Sequence, residues 1–200
     1  MKTTINERPA EYAFAFHHLQ ELCVGKILDV GSGKTSWPHL LSVCGYSVKA
    51  IDKKSSNKYY KVIKDDITKT RLKEQFQIIT CLSVLEHIPD HQAAVKNMFR
   101  LLIPGGYLIL SFPYNEDQYY ENIYDHPEAG YGKNYKFITQ IYSRKEIDKW
   151  LKESPWSIRT QEYYETFTGK LWTFGERLNP TVKVAKSELH HLSCLVLEKQ

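Results

Sequence analysis

A glycine turn between two apolar strand-like segments constrains the fold of this chain most strongly. Residues 26–30, KILDV, are followed directly by Gly31 and Gly33, and a helix-like segment comes next. A second apolar segment at 47–51 then ends at Asp52, 21 residues after Gly31. A strand, a glycine turn, a helix, a second strand and an acid are typical of a parallel sheet that holds a nucleoside at its carboxyl edge.

The G-K-T sequence at 33–35 is shared with phosphate-binding loops, but the rest of that motif is absent. The motif G-x-x-x-x-G-K-[ST] would place its first glycine at position 28, where this chain has Leu28. A dinucleotide is the rival ligand. It usually requires a third glycine, at the position of Ser36, and it would bring a pyrophosphate close to Asp29. Because Asp29 repels a pyrophosphate, the turn favours a ligand with an ammonium or sulfonium charge.

Strand-like and helix-like segments alternate along most of the chain. This alternation predicts an α/β fold, with a mostly parallel sheet covered by helices on both faces. A polar segment with two glycines and a proline, 168–189, is predicted to be a loop. Helices are predicted at 11–23, 38–44, 91–102 and 143–152. The further strands are predicted around 61–63, at 77–82 and 107–112, and as a terminal pair at 157–167 and 191–199.

Five motifs within residues 8–113 together resemble a known family. In chain order they read ILDVGSG, VKAIDKK, DDI, CLSVLEHIPD and LLIPGGYLILSFP. They are similar to the successive motifs of class I S-adenosylmethionine-dependent methyltransferases. The resemblance implies one methyltransferase domain over residues 1–200, with a three-layer, Rossmann-like, mostly parallel seven-stranded sheet whose last strand is antiparallel. The chain departs from the family pattern at Thr35, which replaces a third glycine, and at Gln77, which replaces an acid.

The same resemblance implies which residues hold S-adenosylmethionine. The methionine part would lie between two groups of residues: Asp29, Gly31, Ser32 and Gly33 at the glycine turn, and Cys81, Leu82 and Ser83 at the end of the fourth strand. Asp52 would accept hydrogen bonds from the ribose hydroxyls, and Lys53 would lie at the edge of the adenine. Asp66 and the backbone of Ile67 would meet the adenine amino group. His87 in the same motif is interpreted as a packing residue near the methionine end.

An aromatic-rich insertion follows the fifth strand. Residues 113–142 contain seven of the fourteen tyrosines. Long insertions after a strand of an α/β enzyme are often functional, so this segment is predicted to be a lid over the methyl acceptor; a cap that packs only on itself is the alternative. If the acceptor is a hydroxyl, a base must take its proton, and the candidates are Asp125 and His126, with His87 behind them.

The expected function is O- or N-methylation of a small-molecule, sugar or lipid-like acceptor. A non-catalytic S-adenosylmethionine-binding regulatory or partner protein is the alternative. Nucleic acid is not expected as a partner, because the net charge of +4 is mild and no N-P-P-[YF] motif follows the fourth strand. No apolar run approaches the ~20 residues of a membrane span, and the first residues do not resemble a secretory signal. A cytoplasmic protein is therefore expected, and a homodimer is left open.

No metal site is expected from the sequence. The four cysteines include no C-x-x-C pair. Two histidine pairs, His17-His18 and His190-His191, are adjacent in sequence, and adjacent side chains are expected to point to different faces of a helix or strand.

Overall fold

A computed structural model describes residues 5–22, 25–54 and 57–200 of the chain. The helices are α1 (Arg8–Glu21), α2 (Trp37–Val43), α3 (His91–Leu101) and α4 (Arg144–Glu153). The strands are β1 (Lys26–Val30), β2 (Ser47–Asp52), β3 (Val62–Lys64), β4 (Phe76–Leu82), β5 (Leu102–Pro113), β6 (Trp156–Phe167), β7 (Arg177–Val184) and β8 (Leu192–Lys199). The expected helix end at Cys23 lies outside the described residues.

The strands form one mixed sheet in the order β3-β2-β1-β4-β5-β8-β6-β7. β1 to β5 are parallel to one another, and β8 runs antiparallel to both β5 and β6. This arrangement confirms the predicted mostly parallel sheet with an antiparallel last strand.

Helices cover both faces of the sheet and so produce three layers. α1 and α2 bury Phe14 and Trp37 on one face, and α3 and α4 bury Met98 and Trp150 on the other. β4 is buried along almost its whole length, which is why its sequence, FQIITCL, is nearly continuously apolar. Among the described residues, no helix combines the length and the apolar character that crossing a bilayer requires.

Side-chain caps start the two helices on the Trp150 face. The Asp90 carboxylate accepts a hydrogen bond from the Ala93 backbone N–H at 3.0 Å and begins α3. Ser143 and Glu146 form the predicted capping box at the start of α4. Because these caps satisfy backbone donors that a helix leaves unpaired, they define where each helix begins.

The prediction of seven strands and of a loop over 168–189 was wrong. An eighth strand, β7, lies within that segment and pairs antiparallel with β6 at the edge of the sheet. Every residue of β7 is exposed or half-buried. Leu178, Val182 and Val184 alternate with polar residues, and Val184 packs against the core. Pro180 interrupts this run, and a proline inside a strand is tolerated mainly at a sheet edge, so the sequence did not distinguish β7 from a loop.

We expect the replacement of Leu195 by Ala to destabilise the whole domain. Leu195 is fully buried in β8, which joins the parallel half of the sheet to β6. The Leu195→Ala substitution should lower the free energy of unfolding by about 2–5 kcal/mol, measured by urea denaturation. Leu189→Ala is the matched control, because Leu189 is 43% exposed, and it should change stability by less than about 0.5 kcal/mol. Equal losses in the two variants would contradict the central position of β8.

Candidate functional site

A cavity of about 440 Å³ opens at the carboxyl ends of β1, β2 and β4. Ligands of open α/β sheets bind at this edge, where the chain changes the direction in which it adds strands. Seven of the residues predicted to bind a cofactor line the cavity: Gly31, Gly33, Asp52, Lys53, Asp66, Ile67 and Ser83. An adjoining recess is lined by Asp29, Ser32 and Leu82. Cys81 is buried within β4 and lines neither space.

The glycine turn after β1 has a backbone that only glycine adopts easily. Gly31 has a φ of +75°, and a Cβ added to it would lie 2.2 Å from a methyl group of Val84. Gly33 has a φ of +52°, and its N–H donates to Asp52 Oδ2 at 3.0 Å. The other oxygen of Asp52 accepts from the Lys54 backbone N–H at 2.6 Å. The Asp52 carboxylate therefore joins the loop after β1 to the loop after β2 at the cavity wall.

Asp29 is a buried acid beside the glycine turn. Its two oxygens accept hydrogen bonds from Ser32 Oγ at 2.5 Å and from Thr80 Oγ1 at 2.8 Å. Burial raises the pKa of Asp29 to about 6, although both hydrogen bonds act in the opposite direction. A cationic group in the recess would favour the ionised form of this carboxyl.

Arg8 lines both the cavity and the recess, and sequence reasoning missed it. Its Nη1 donates to the Leu82 carbonyl at 2.9 Å and lies 3.1 Å from Glu11 Oε2. Glu11 is fully buried, and its Oε1 accepts from the hydroxyls of Ser83 and Ser111. Burial raises the pKa of Glu11, and Arg8 opposes that rise. No local motif marks Arg8, because it reaches the site only when α1 folds back across the sheet.

An ion pair stands at the opposite end of the cavity. Lys53 Nζ lies 3.2 Å from Asp66 Oδ2, and Asp66 Oδ1 accepts from the Thr68 backbone N–H at 3.0 Å. Burial raises the pKa of Asp66, but the bonds from Thr68 and the charge of Lys53 outweigh that effect and leave it below its usual value. This acid is therefore ionised at neutral pH and offers acceptor oxygens at the cavity wall.

His87 also lines the cavity, and its ring has a defined tautomer. Its Nδ1 lies 2.7 Å from the Ile138 carbonyl oxygen. Since a carbonyl only accepts, Nδ1 carries a proton, and in the neutral ring the lone pair is then on Nε2. Nε2 lies 3.7 Å from Oε1 of the buried Glu86. Burial raises the pKa of Glu86 to about 7, so a proton can reside on this carboxyl near neutrality.

The aromatic insertion is fastened to the turn that carries His87. Gln140 is fully buried, and its Nε2 donates to the Ile88 carbonyl at 2.8 Å and to the Glu86 carbonyl at 3.3 Å. Tyr142 Oη donates to the Leu85 carbonyl at 2.8 Å. The C-terminal part of the insertion thus fixes the backbone on both sides of His87.

The two residues predicted as a base lie elsewhere in the insertion. Asp125 is exposed at the end of a 3₁₀ turn. His126 Nδ1 accepts from the Glu128 backbone N–H at 3.2 Å, and its ring lies 4.8 Å from that of Phe174. Neither residue lines the cavity, and their assignment as a base stays a prediction.

The histidine pairs differ from expectation at one place. His17 is exposed and His18 is buried, yet both side chains approach Glu21. His190 and His191 contact different backbone carbonyls, those of Glu188 and Gly169.

A family model described as "Methyltransferase domain" matches residues 7–161. The chain belongs to this family. The resemblance to class I S-adenosylmethionine-dependent methyltransferases is therefore confirmed, and S-adenosylmethionine is the cofactor of the domain.

Curated relatives and solved structures agree with this assignment. The chain is 30% identical to the ubiquinone biosynthesis O-methyltransferase of Pseudomonas fluorescens strain Pf0-1, over a segment that covers 43% of each chain. The match therefore spans less than half of that relative.

Solved methyltransferases of low sequence identity have a similar fold. One is the Burkholderia thailandensis 1,6-didemethyltoxoflavin-N1-methyltransferase with bound 1,6-didemethyltoxoflavin and S-adenosylhomocysteine, at a TM-score of 0.66, 14% identity, 96% of this chain and 77% of that one. Another is a S-adenosylmethionine-dependent methyltransferase of Methanosarcina mazei, at a TM-score of 0.63, 18% identity, 92% of this chain and 96% of that one. At these identities the likeness shows the fold alone.

We expect the Gly31→Ala substitution to weaken cofactor binding, because the added Cβ displaces Val84 and with it the cavity wall. Affinity for S-adenosylhomocysteine should fall at least about tenfold in a calorimetric titration, as a displacement costing about 1.4 kcal/mol would produce. The matched control is Gly45→Ala. Gly45 also has a positive φ, of +94°, but a Cβ there meets nothing within 4 Å. This control should lose about 1–2 kcal/mol of stability and bind normally; equal binding losses would show that backbone strain alone is responsible.

Proposed function

We propose that the protein transfers the methyl group of S-adenosylmethionine to a hydroxyl oxygen of a small-molecule acceptor. The observation that carries this proposal is His87, an imidazole at the cavity whose Nδ1 donates to the Ile138 carbonyl, so that Nε2 is the basic nitrogen of the neutral ring. A base with a free lone pair is what a hydroxyl acceptor requires and what an amine acceptor does not. The name of the Pseudomonas fluorescens relative, an O-methyltransferase, supports oxygen as the acceptor atom.

The charges around the cavity support one orientation of the cofactor. In this orientation the methionine end would lie where the cavity meets the recess, with its carboxylate towards the Arg8 guanidinium and its ammonium group towards the Asp29 carboxylate. The ribose hydroxyls donate to Asp52, and the adenine lies between Lys53 and the turn at Asp66 and Ile67. Ser83 and His87 line the cavity between these groups and would face the sulfonium.

Cofactor binding should weaken as the pH falls through about 6. In the free protein the pKa of Asp29 is about 6, and an ammonium group lowers it in the complex, so binding releases a proton. The affinity for the cofactor is therefore highest above about pH 6, and below that pH it falls by up to about tenfold per pH unit. Calorimetric titrations with S-adenosylhomocysteine at pH values between about 5 and 8 measure how the affinity depends on pH.

The Asp29→Asn variant is the control for that titration. Its amide cannot release a proton, so its weaker binding should be nearly independent of pH over the same range. The same pH dependence in this variant would assign the proton to another group, and the proposed contact between Asp29 and the ammonium group would be wrong.

Methyl transfer in this geometry is an in-line displacement. The bond from the methyl carbon to oxygen forms as the bond to sulfur breaks, the sulfonium becomes a neutral thioether, and the acceptor proton passes to Nε2 of His87. The nearby Glu86 carboxyl, when ionised, stabilises the imidazolium that results. A site that orients the two reactants and excludes water supplies the rest of the rate enhancement.

The aromatic insertion is proposed to cover the acceptor. Phe137 packs edge-on against His87 with ring centroids 4.9 Å apart, and Tyr135 stacks on Phe137 at 4.9 Å. These two rings remain 47% and 52% exposed. Exposed rings beside a cavity offer an apolar contact surface, which suits an acceptor with an apolar face. Transfer to nitrogen is the second candidate, supported by the Burkholderia thailandensis structural neighbour, whose name specifies an N1-methyltransferase.

We expect His87→Ala to lower kcat for a hydroxyl acceptor by about 10²–10⁴-fold, because the proton acceptor is lost. Phenols, catechols and sugars are first screened with radiolabelled S-adenosylmethionine, and the variant is then assayed on any hydroxyl compound that the wild type methylates. Binding of S-adenosylhomocysteine should remain.

His126→Ala is the matched histidine variant in the same assay. It should retain activity, since His126 does not line the cavity. If His126→Ala lost activity while His87→Ala stayed fully active, the base would be assigned to the pair Asp125 and His126. Unchanged kcat in both variants on a nitrogen compound would support N-methylation.

A further inference from the structure

We propose that His17, His18 and Glu21 form a binding site for a zinc-class divalent cation at the last turn of α1. The site is separate from the cofactor cavity, and it requires nothing of the proposed methyl transfer. One atom of each residue is positioned so that all three ligand atoms lie within 4.8 Å of one another.

Helix geometry explains how two adjacent histidines can share a partner. Successive residues of an α-helix are rotated by about 100°, so four residues return to within ~40° of the starting direction. Glu21 therefore projects between His17 and His18, about 40° from the first and about 60° from the second. A carboxylate at this position reaches both imidazoles, which the sequence analysis had expected to diverge.

The separations fit shared metal ligands better than hydrogen bonds. His17 Nε2 lies 3.6 Å from Glu21 Oε1, and His18 Nδ1 lies 3.5 Å from Glu21 Oε2. Both distances exceed the roughly 2.7–3.2 Å of a good N–H···O bond. Two ligands that each bind Zn²⁺ at about 2.0–2.1 Å with tetrahedral angles are separated by about 3.3–3.4 Å. Closing the cluster to this geometry requires movement of the exposed side chains of His17 and Glu21.

The two imidazoles would offer different nitrogens to the ion. His17 faces Glu21 with Nε2, and His18 faces it with Nδ1. In the metal-free protein, a neutral His18 ring with its proton on Nδ1 points that proton at the Glu21 carboxylate. A metal ion at Nδ1 would take the place of this proton, which would move to the buried Nε2.

The donor set selects the class of ion. Two imidazole nitrogens and one carboxylate oxygen suit Zn²⁺ and similar borderline ions, whereas Mg²⁺ and Ca²⁺ prefer oxygen ligands only. The side chains of His17 and Glu21 are 65% and 49% exposed, so water can complete a tetrahedral site. Because the three ligands span one helical turn, the ion would stabilise the end of the helix that carries Arg8 and Glu11 to the cofactor cavity.

Calorimetric titration of ZnCl₂ into protein without an affinity tag tests the proposal. We expect the wild type to bind one equivalent with an increase in melting temperature. Glu21→Gln should bind at least about tenfold more weakly, since it loses a direct ligand. His39→Ala is the matched control, because His39 is an exposed helical histidine on α2 outside the cluster, and it should bind as the wild type does.

Because His17 and Glu21 are exposed, we expect variants at these positions to fold. Far-ultraviolet circular dichroism and retained S-adenosylhomocysteine binding would verify folding in each variant, and neither measurement depends on zinc. Absence of zinc binding by the wild type would overturn the proposal. Equal binding by Glu21→Gln would also overturn it, because the metal would then be held by other residues.

Discussion

The close passage of the backbone at Gly31 against Val84 is the constraint on which the cofactor cavity depends. These residues belong to the loops after β1 and β4, and a single added carbon at Gly31 would lie 2.2 Å from the Val84 side chain. Asp52 joins the same glycine loop to the loop after β2 through the Gly33 N–H. Three loops from neighbouring parallel strands are thereby held at one edge, and the parallel sheet behind them supplies the rigid support.

Buried charges give the cavity its chemical character. Asp29, Glu11 and Glu86 all lie out of water, where an ionised carboxyl is costly unless a partner compensates. Arg8 and two serine hydroxyls compensate Glu11, and two hydroxyls partly compensate Asp29. The incomplete compensation of Asp29 is a property that a cationic ligand can exploit. The proposed site is therefore an acidic recess with one fixed guanidinium, which matches the opposite charges of an amino-acid zwitterion.

The insertion after β5 contributes to the site mainly through its second half. Gln140 and Tyr142 bond to backbone carbonyls of the turn 85–88, and Ile138 fixes the His87 ring. These contacts join residues more than fifty positions apart in sequence. They could not be predicted from the spacing of aromatic residues, which indicated a functional segment but not which of its residues approach the cavity. The same reason separates His87, which lines the cavity, from His126, which does not.

The sequence by itself determined the parts of this protein that depend on local patterns. Apolar runs predicted the central strands, Ser143 and Glu146 predicted a helix start, and the glycine turn with Asp52 predicted a nucleoside-type cavity, because each pattern reflects neighbours close in the chain. Only the tertiary structure decided the position of Arg8, the tautomer of His87, the convergence of His17 and His18 on Glu21, and the strand β7. The first two depend on contacts between distant segments. The convergence on Glu21 depends on side-chain positions that adjacency in sequence does not fix. The strand β7 contains Pro180, which a strand tolerates mainly at a sheet edge, and only the tertiary structure places it there.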